Sequence, residues 1–203
     1  MREVAIIDYG AGNIGSIVNA IEYLNYKPVI IKNPSKKSYS HLILPGVGSF
    51  GKLSINLEKL SLKQYIYESL KKGSYLFGIC IGMQLLFEES EESPGHKGLS
   101  LIEGNLKKIS PQNRFDMPLP HIGFSKVSNK SSKLFHNLEK DPFFYFIHSY
   151  CLKSVPNNVN YCNTEYGEKF ISFVEKDNIF GSQFHPEKSH KTGLKLIKNF
   201  LDL

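Results

Sequence analysis

Gly78-Ile79-Cys80-Ile81-Gly82-Met83-Gln84 constrains this chain more than any other stretch. Tyr75-Leu76-Phe77 before it is a short apolar run that reads as a buried strand. Met83-Gln84-Leu85-Leu86-Phe87-Glu88-Glu89 after it reads as the first turns of a helix. Strand, Gly-x-Cys-x-Gly and helix in that order form the pattern of a nucleophile elbow with cysteine as the nucleophile. A turn this tight leaves no room for side chains at its neck, so glycines flank it. The helix start behind it favours a thiolate and offers N–H groups to an oxyanion. A buried structural cysteine between two glycines fits the stretch equally well, so the rest of the chain has to decide.

The residues before the elbow alternate between strand and helix. Val4-Ala5-Ile6-Ile7-Asp8 reads as the first strand of a parallel sheet, apolar on both faces. Tyr9-Gly10-Ala11-Gly12-Asn13-Ile14-Gly15 follows, with a helix from about Ser16 to Leu24. Gly10-x-Gly12-x-x-Gly15 has the bare spacing of a dinucleotide fingerprint, but the second strand, Pro28 to Ile31, runs into Lys32-Asn33-Pro34 without the acidic residue that would hold a ribose. No nicotinamide cofactor is expected. His41 to Leu44 reads as the third strand, and Pro45-Gly46-Val47-Gly48-Ser49-Phe50-Gly51 reads as a loop with free N–H groups. Both glycine-rich loops end strands, where ligands bind in open α/β sheets, so they can share a site with the elbow. Leu53 to Lys72 reads as two helices or one interrupted helix, and Glu88 to Gly98 as a polar, acidic surface loop.

The second half reads as strands at Gly104–Ile109, His121–Val127, Phe143–Ser149, Asn160–Thr164, Lys169–Glu175 and Ile179–Phe184, with a hairpin turn at Asp177-Asn178. Thr192 to Leu203 closes the chain as an amphipathic helix. The fold class is therefore α/β, a mixed central sheet with flanking helices, in one domain spanning residues 1–203.

Composition narrows the chemistry. The chain has three cysteines, Cys80, Cys151 and Cys162, and no C-x-x-C pair, which argues against a disulfide framework or a structural zinc site. Cys151 and Cys162 lack a glycine frame and read as packing residues. The net charge of +6 comes from scattered lysines, unlike the continuous stripe of a nucleic-acid binder. No apolar run is long enough to span a membrane, and the N-terminus enters a strand pattern without a signal peptide's apolar region. A cytoplasmic location is expected, with no metal and no cofactor.

A thiol nucleophile needs a base, and Gly181-Ser182-Gln183-Phe184-His185-Pro186-Glu187-Lys188-Ser189 supplies one. His185 and Glu187 lie two apart in a segment read as extended, so both side chains point to one side and Glu187 can orient the imidazole. Cys80, His185 and Glu187 occur in the order Cys, His, acid. The α/β-hydrolase order places the acid before the histidine.

Gly-Ile-Cys-Ile-Gly-Met-Gln and Phe-His-Pro-Glu resemble the paired signatures of class I (triad-type) glutamine amidotransferases. Residues 7–14, 44–50, 120–124, 145–150 and 183–189 resemble, within that class, the glutaminase subunits of imidazole glycerol phosphate synthase. The resemblance implies that Cys80 attacks the side-chain amide of glutamine, with His185 and Glu187 completing the triad. It implies an oxyanion hole from Gly46, Val47, Gly48 and Ile81, completed by a peptide flip, and substrate contacts from Gln84, Ser149 and Tyr150. It also implies a (β/α)₈ cyclase as partner, receiving the ammonia; the strand-end surface with Tyr9, Gly10, Asn13 and Phe50 is the candidate docking face, and His121 sits either near that interface or simply in a strand. One departure is plain: these subunits carry Trp-Asn after His-x-Gly, and this chain has Phe124-Ser125 and no tryptophan. That variant resembles a branch of the family whose ammonia goes to a sugar amidotransferase making acetamidino sugars for the cell surface.

Overall fold

Strands that are apolar on both faces need a sheet covered on both sides, and the chain forms one. The computed structural model describes residues 1–110, 117–128 and 132–203. The first half comprises β1 (Glu3–Ile7), α1 (Ile14–Tyr23), β2 (Lys27–Ile31), β3 (His41–Leu44), α2 (Phe50–Lys59), α3 (Leu62–Lys71), β4 (Tyr75–Ile79) and α4 (Ile81–Gln84). The second comprises β5 (Glu89–Ser90), β6 (Asn105–Lys108), β7 (His121–Lys126), β8 (Phe143–His148), β9 (Tyr150–Cys151), β10 (Asn160–Glu165), β11 (Lys169–Lys176), β12 (Ile179–Ser182) and α5 (His190–Leu201).

Seven strands pair in the order β10-β11-β12-β4-β3-β1-β2. β2, β1, β3, β4 and β12 are parallel, while β10, β11 and β12 run antiparallel, so the sheet is mixed. Pro28 lacks a backbone donor and sits on the edge strand β2, where a missing donor breaks no ladder.

The period-2 alternation of the strands splits the core in two. Ala5, Ile7, Leu42, Leu44 and Leu76 face α2 and α3 through Leu53, Leu57, Leu62 and Ile66. Val4, Ile6, Ile43, Phe77 and Ile79 face the other way, against Ile17 and Ile21 of α1 and Leu196, Ile197 and Phe200 of α5. The β7–β8 hairpin packs on this second side through Phe144 and Phe146.

Two sequence readings need correction. The helix behind the elbow is one turn, Ile81–Gln84, rather than the start of a long helix. The carbonyls of Leu85, Leu86 and Phe87 accept from Leu99, Leu101 and Ser100, so a returning strand of chain takes the bonds a continuing helix would have used. Residues 88–98 are also more than a surface loop: β5 pairs with β6, and Glu92 and Ser93 accept from the N–H groups of Phe50 and Gly51 at 2.7 and 3.1 Å, satisfying the start of α2. The interrupted stretch from Leu53 to Lys72 resolves into α2 and α3, and Asp177 (φ 54°) turns the β11–β12 hairpin.

Candidate active site

Cys80 sits between the end of β4 and the start of α4 with φ 53° and ψ −110°, a backbone conformation costly for any residue with a side chain. The neck is as narrow as the elbow pattern requires. A Cβ on Gly82 would lie 2.0 Å from the Leu44 carbonyl oxygen, and one on Gly78 would lie 2.5 Å from the Gly82 oxygen. The Cys80 N–H donates to Ser182 O at 2.6 Å. β12 pairs in parallel with β4, Gly181 opposite Gly78 and Ser182 opposite Ile79. The residues that leave the end of β12 therefore emerge beside the elbow, although a hundred positions separate them in the chain.

Those residues are Gln183, Phe184 and His185. His185 Nδ1 lies 2.7 Å from Glu187 Oε1, and neither side chain is exposed. Contrary to the extended reading, Pro186–Lys188 forms one 3-10 turn. Pro186 supplies the fixed φ of a first helical position, and the Ser189 hydroxyl donates back to the His185 carbonyl at 2.6 Å. The turn, not an extended segment, brings the carboxylate under the ring. Glu187 Oε1 also accepts from Asn13 Nδ2. Burial disfavours charge on His185, yet the Cys80 sulfur and the Glu187 carboxylate outweigh it and hold the imidazole pKa up at about 10. The direction favours the protonated ring, which suits a cysteine whose nucleophilic form is the thiolate. His185 and Cys80 line one pocket, and the sulfur is the group that acts on the imidazole from the side away from Glu187 Oε1.

That pocket holds about 190 Å³ and is walled by Val47, Gly48, Cys80, Ile81, Gln84, Glu92, Ile147, His148, Ser149, Tyr150 and His185, with Pro120 at its rim. It gathers the histidine and cysteine of the expected triad, three of the four expected oxyanion residues and all three expected substrate residues. Gly46 is the exception. It is buried behind the pocket wall against Ile81 and Gly82, and so supports the loop from behind. The Val47 carbonyl accepts from Gly12 N–H at 2.9 Å, which ties the two glycine-rich loops together.

A family model, glutamine amidotransferase class-I, matches residues 5–203. The chain belongs to that family. A relative named imidazole glycerol phosphate synthase subunit HisH from Chlorobium chlorochromatii is 43% identical over 204 residues, covering 98% of this chain and 100% of the relative. The HisH subunit of Methanocaldococcus jannaschii is 45% identical over 203 residues, covering 98% and 99%. Among solved structures, a glutamine amidotransferase superposes with a TM-score of 0.77 at 17% identity, covering 98% of this chain and 97% of that one. PurLQS from Thermotoga maritima superposes at 0.76 and 18% identity, covering 99% and 98%. These two likenesses concern the fold.

Within this glutamine amidotransferase, the expected interface residues sort differently from the sequence reading. Tyr9, Phe50 and His121 are buried, so their side chains offer nothing to a partner. The Tyr9 hydroxyl donates to the Pro45 carbonyl and braces the oxyanion loop from below. Phe50 is core under α2, and His121 is stacked between Phe146 and Tyr166 at 4.8 and 4.0 Å. Gly10 is exposed at the strand end. Asn13 reaches the triad carboxylate. Three residues of the site, Glu92, His148 and Gln183, escaped the sequence reading, as did the contact of Asn13 with the Glu187 carboxylate. Gln183 lay inside the Gln-Phe-His-Pro-Glu run and could have been found there. Glu92 was one carboxylate in an acidic loop, with nothing in sequence to single it out. Among the described residues no cluster of metal-ligating side chains occurs and no helix is long and apolar enough to cross a membrane.

Proposed function

We propose that this chain hydrolyses glutamine at Cys80 and passes the ammonia to a (β/α)₈ cyclase, as the glutaminase subunit of an imidazole glycerol phosphate synthase in the cytoplasm. The observation that carries this reading is a cysteine at an elbow and a buried His185–Glu187 pair opening on one small pocket, in a chain matched along its length by HisH subunits. The Cys80 thiolate attacks the side-chain amide carbon of glutamine. The oxyanion is held by backbone N–H groups of Ile81 and Gly48. The His185 imidazolium gives its proton to the departing ammonia, and the resulting imidazole takes one from the water that cleaves the thioester and releases glutamate. Glu92, the carboxylate in the pocket wall, lies where it can pair with the substrate's α-ammonium.

A flip of the Val47–Gly48 peptide, of the kind the family resemblance implies, would release the bond from Gly12 N–H to Val47 O. Gly48, at φ 151°, tolerates the change. The free subunit is therefore expected to be a poor glutaminase, activated when a partner presses on the Gly10–Asn13 loop.

The docking face extends onto the outer side of the β7–β8 hairpin. Ile122, Phe124, Phe143 and Ile147 are 55%, 48%, 55% and 37% exposed, and Ile122 stands opposite Ile147 across the ladder. Apolar side chains gathered on one exposed face mark an interaction surface. Ile147 also lines the pocket, so the surface abuts the chemistry.

The test is reconstitution with a histidine-pathway cyclase from the same source, glutamine as sole nitrogen donor, and imidazole glycerol phosphate as the readout. Product formation that is lost in Cys80→Ala and in Phe124→Asp, but kept in Cys151→Ala, supports the reading. Phe124-Ser125 in place of Trp-Asn favours a second acceptor, a sugar amidotransferase. Absence of a complex with the cyclase, with Cys80 still reactive toward a glutamine-like affinity label, would move the assignment there.

A further inference from the structure

One backbone carbonyl orients two buried amides, and the second of them touches the nucleophile. Tyr150 O lies 3.2 Å from Gln84 Nε2, and a carbonyl oxygen only accepts, so the nitrogen end of Gln84 must face it. The same nitrogen lies 3.0 Å from the end of the Gln183 amide. Two NH₂ groups cannot bond each other, so that atom of Gln183 is its oxygen. The Gln183 Nε2 is then left at 3.8 Å from Cys80 Sγ, donor-first. Both glutamines are buried, at 4% and 1% exposure, so water cannot compensate a flipped amide. The carbonyl at the head of this chain is itself fixed, since His148 Nδ1 donates to it at 2.9 Å.

We propose that Gln183 holds the Cys80 sulfur in its thiolate form through its Nε2–H, and that the Tyr150 carbonyl keeps the amide in the only orientation that does so. The proposal rests on Cys80 being the nucleophile. A sulfur anion accepts an N–H more strongly than a neutral thiol does, so a donor locked in place favours the charged form. Gln183 thus adds a donor to the positive charge of His185 and opposes the Ile147 carbonyl, which lies 3.9 Å from the same sulfur and can accept only from the thiol form. Its residue type matters: a carboxylate in its place would put a negative charge against the sulfur, and an aliphatic side chain would put nothing there.

The test follows alkylation of Cys80 by iodoacetamide across about pH 5 to 9, read by mass spectrometry on the Cys80 peptide in the full chain. Gln183→Met keeps the volume and removes the donor. It is expected to alkylate roughly tenfold more slowly at neutral pH, with its profile displaced about one unit to the alkaline side. Gln183→Glu is expected to move further in the same direction. A profile for Gln183→Met that superimposes on the parent, with melting unchanged, overturns the proposal. The unsubstituted chain gives a second check that survives a folding failure. The Gln183 side-chain amide resonance should shift with pH at the same midpoint as the alkylation rate, and an amide that does not respond also overturns it. Alkylation reports the sulfur and not the turnover, so loss of this proposal is distinct from failure of the glutaminase reading, which the Cys80→Ala assay decides.

Discussion

His121 Nδ1 lies 3.1 Å from His148 Nε2, and the direction of that bond is set from one end. His148 Nδ1 donates to the Tyr150 carbonyl, and burial favours a neutral ring, so its Nε2 is the acceptor and His121 Nδ1 carries the proton between them. His121 Nε2 is then an acceptor for the Ser125 hydroxyl, 2.8 Å away. With both rings neutral, the state that their burial favours, every bond of the chain Ser125–His121–His148–Tyr150 O is made.

Burial lowers both pKa values, to about 4 for His121 and about 3 for His148. Unfolded, each would titrate near about 6.5. Above that pH both states are neutral and this contribution to stability is intact. As pH falls below it, the unfolded chain binds protons that the folded rings refuse, so stability drops progressively, down to about pH 4 for His121 and about pH 3 for His148. His121→Phe keeps a ring between Phe146 and Tyr166 and removes one titrating group. Its melting temperature should depend less steeply on pH between about 6.5 and 4 than that of the parent. Equal slopes would show that His121 is not part of the acid response.

Asn13 should act on rate through Glu187. Its amide and the His185 ring share Glu187 Oε1, and Glu187 Oε2 has no hydrogen-bond partner among the described residues. A hydrogen bond to a buried charge is worth about 1.5–3 kcal/mol. Asn13→Ala is therefore expected to lower kcat roughly ten- to a hundredfold with little change in KM for glutamine. Restoration by Asn13→Ser, even in part, would tie the effect to the hydrogen bond. A change confined to KM would place Asn13 outside the triad's support.

Glu92 should act on binding. Glu92→Gln keeps an acceptor for the Phe50 N–H and removes the charge that would meet the substrate's α-ammonium. KM for glutamine should rise about tenfold or more, as expected for loss of a charge-assisted bond, while Cys80 alkylation by iodoacetamide stays unchanged. An unaltered KM would remove Glu92 from the substrate site.

Gly82 should act on folding. A methyl there meets the Leu44 carbonyl oxygen at 2.0 Å, and that oxygen belongs to a central strand. Gly82→Ala must push α4 away from β3, at a cost of about 1–3 kcal/mol, which lowers the melting temperature by several degrees in a chain of this size. The same displacement moves Cys80, so glutaminase activity should fall as well. A variant with parental melting would mean the elbow relaxes without strain.

Much of this was legible in the chain. The short apolar runs before Asp8, Pro45 and Gly78 are strands because both of their faces are covered, and a sequence shows that directly. Gly78 and Gly82 gave away the elbow because only the absence of a Cβ permits the approach of Leu44 and Gly82 backbone atoms. The hidden parts depend on contacts between distant segments. Leu85 to Phe87 carry a helical pattern, yet their carbonyls are taken by residues 99–101, so the helix stops. Tyr9, Phe50 and His121 looked like surface because they flank glycine loops and strand ends, and packing from other elements buried them.

By itself the sequence determined the elbow and the α/β class and singled out Cys80, His185 and Glu187 as candidates, because these rest on local sterics and on residue types that few other chemistries need. The tertiary structure decided what surrounds them. Parallel pairing of β12 with β4 puts Gln183 and His185 beside Cys80, a 3-10 turn puts Glu187 under the ring, and one carbonyl at Tyr150 sets the direction of buried hydrogen bonds on both sides of it. Hydrogen-bond direction belongs to a closed network of partners, and no single residue in a chain carries it.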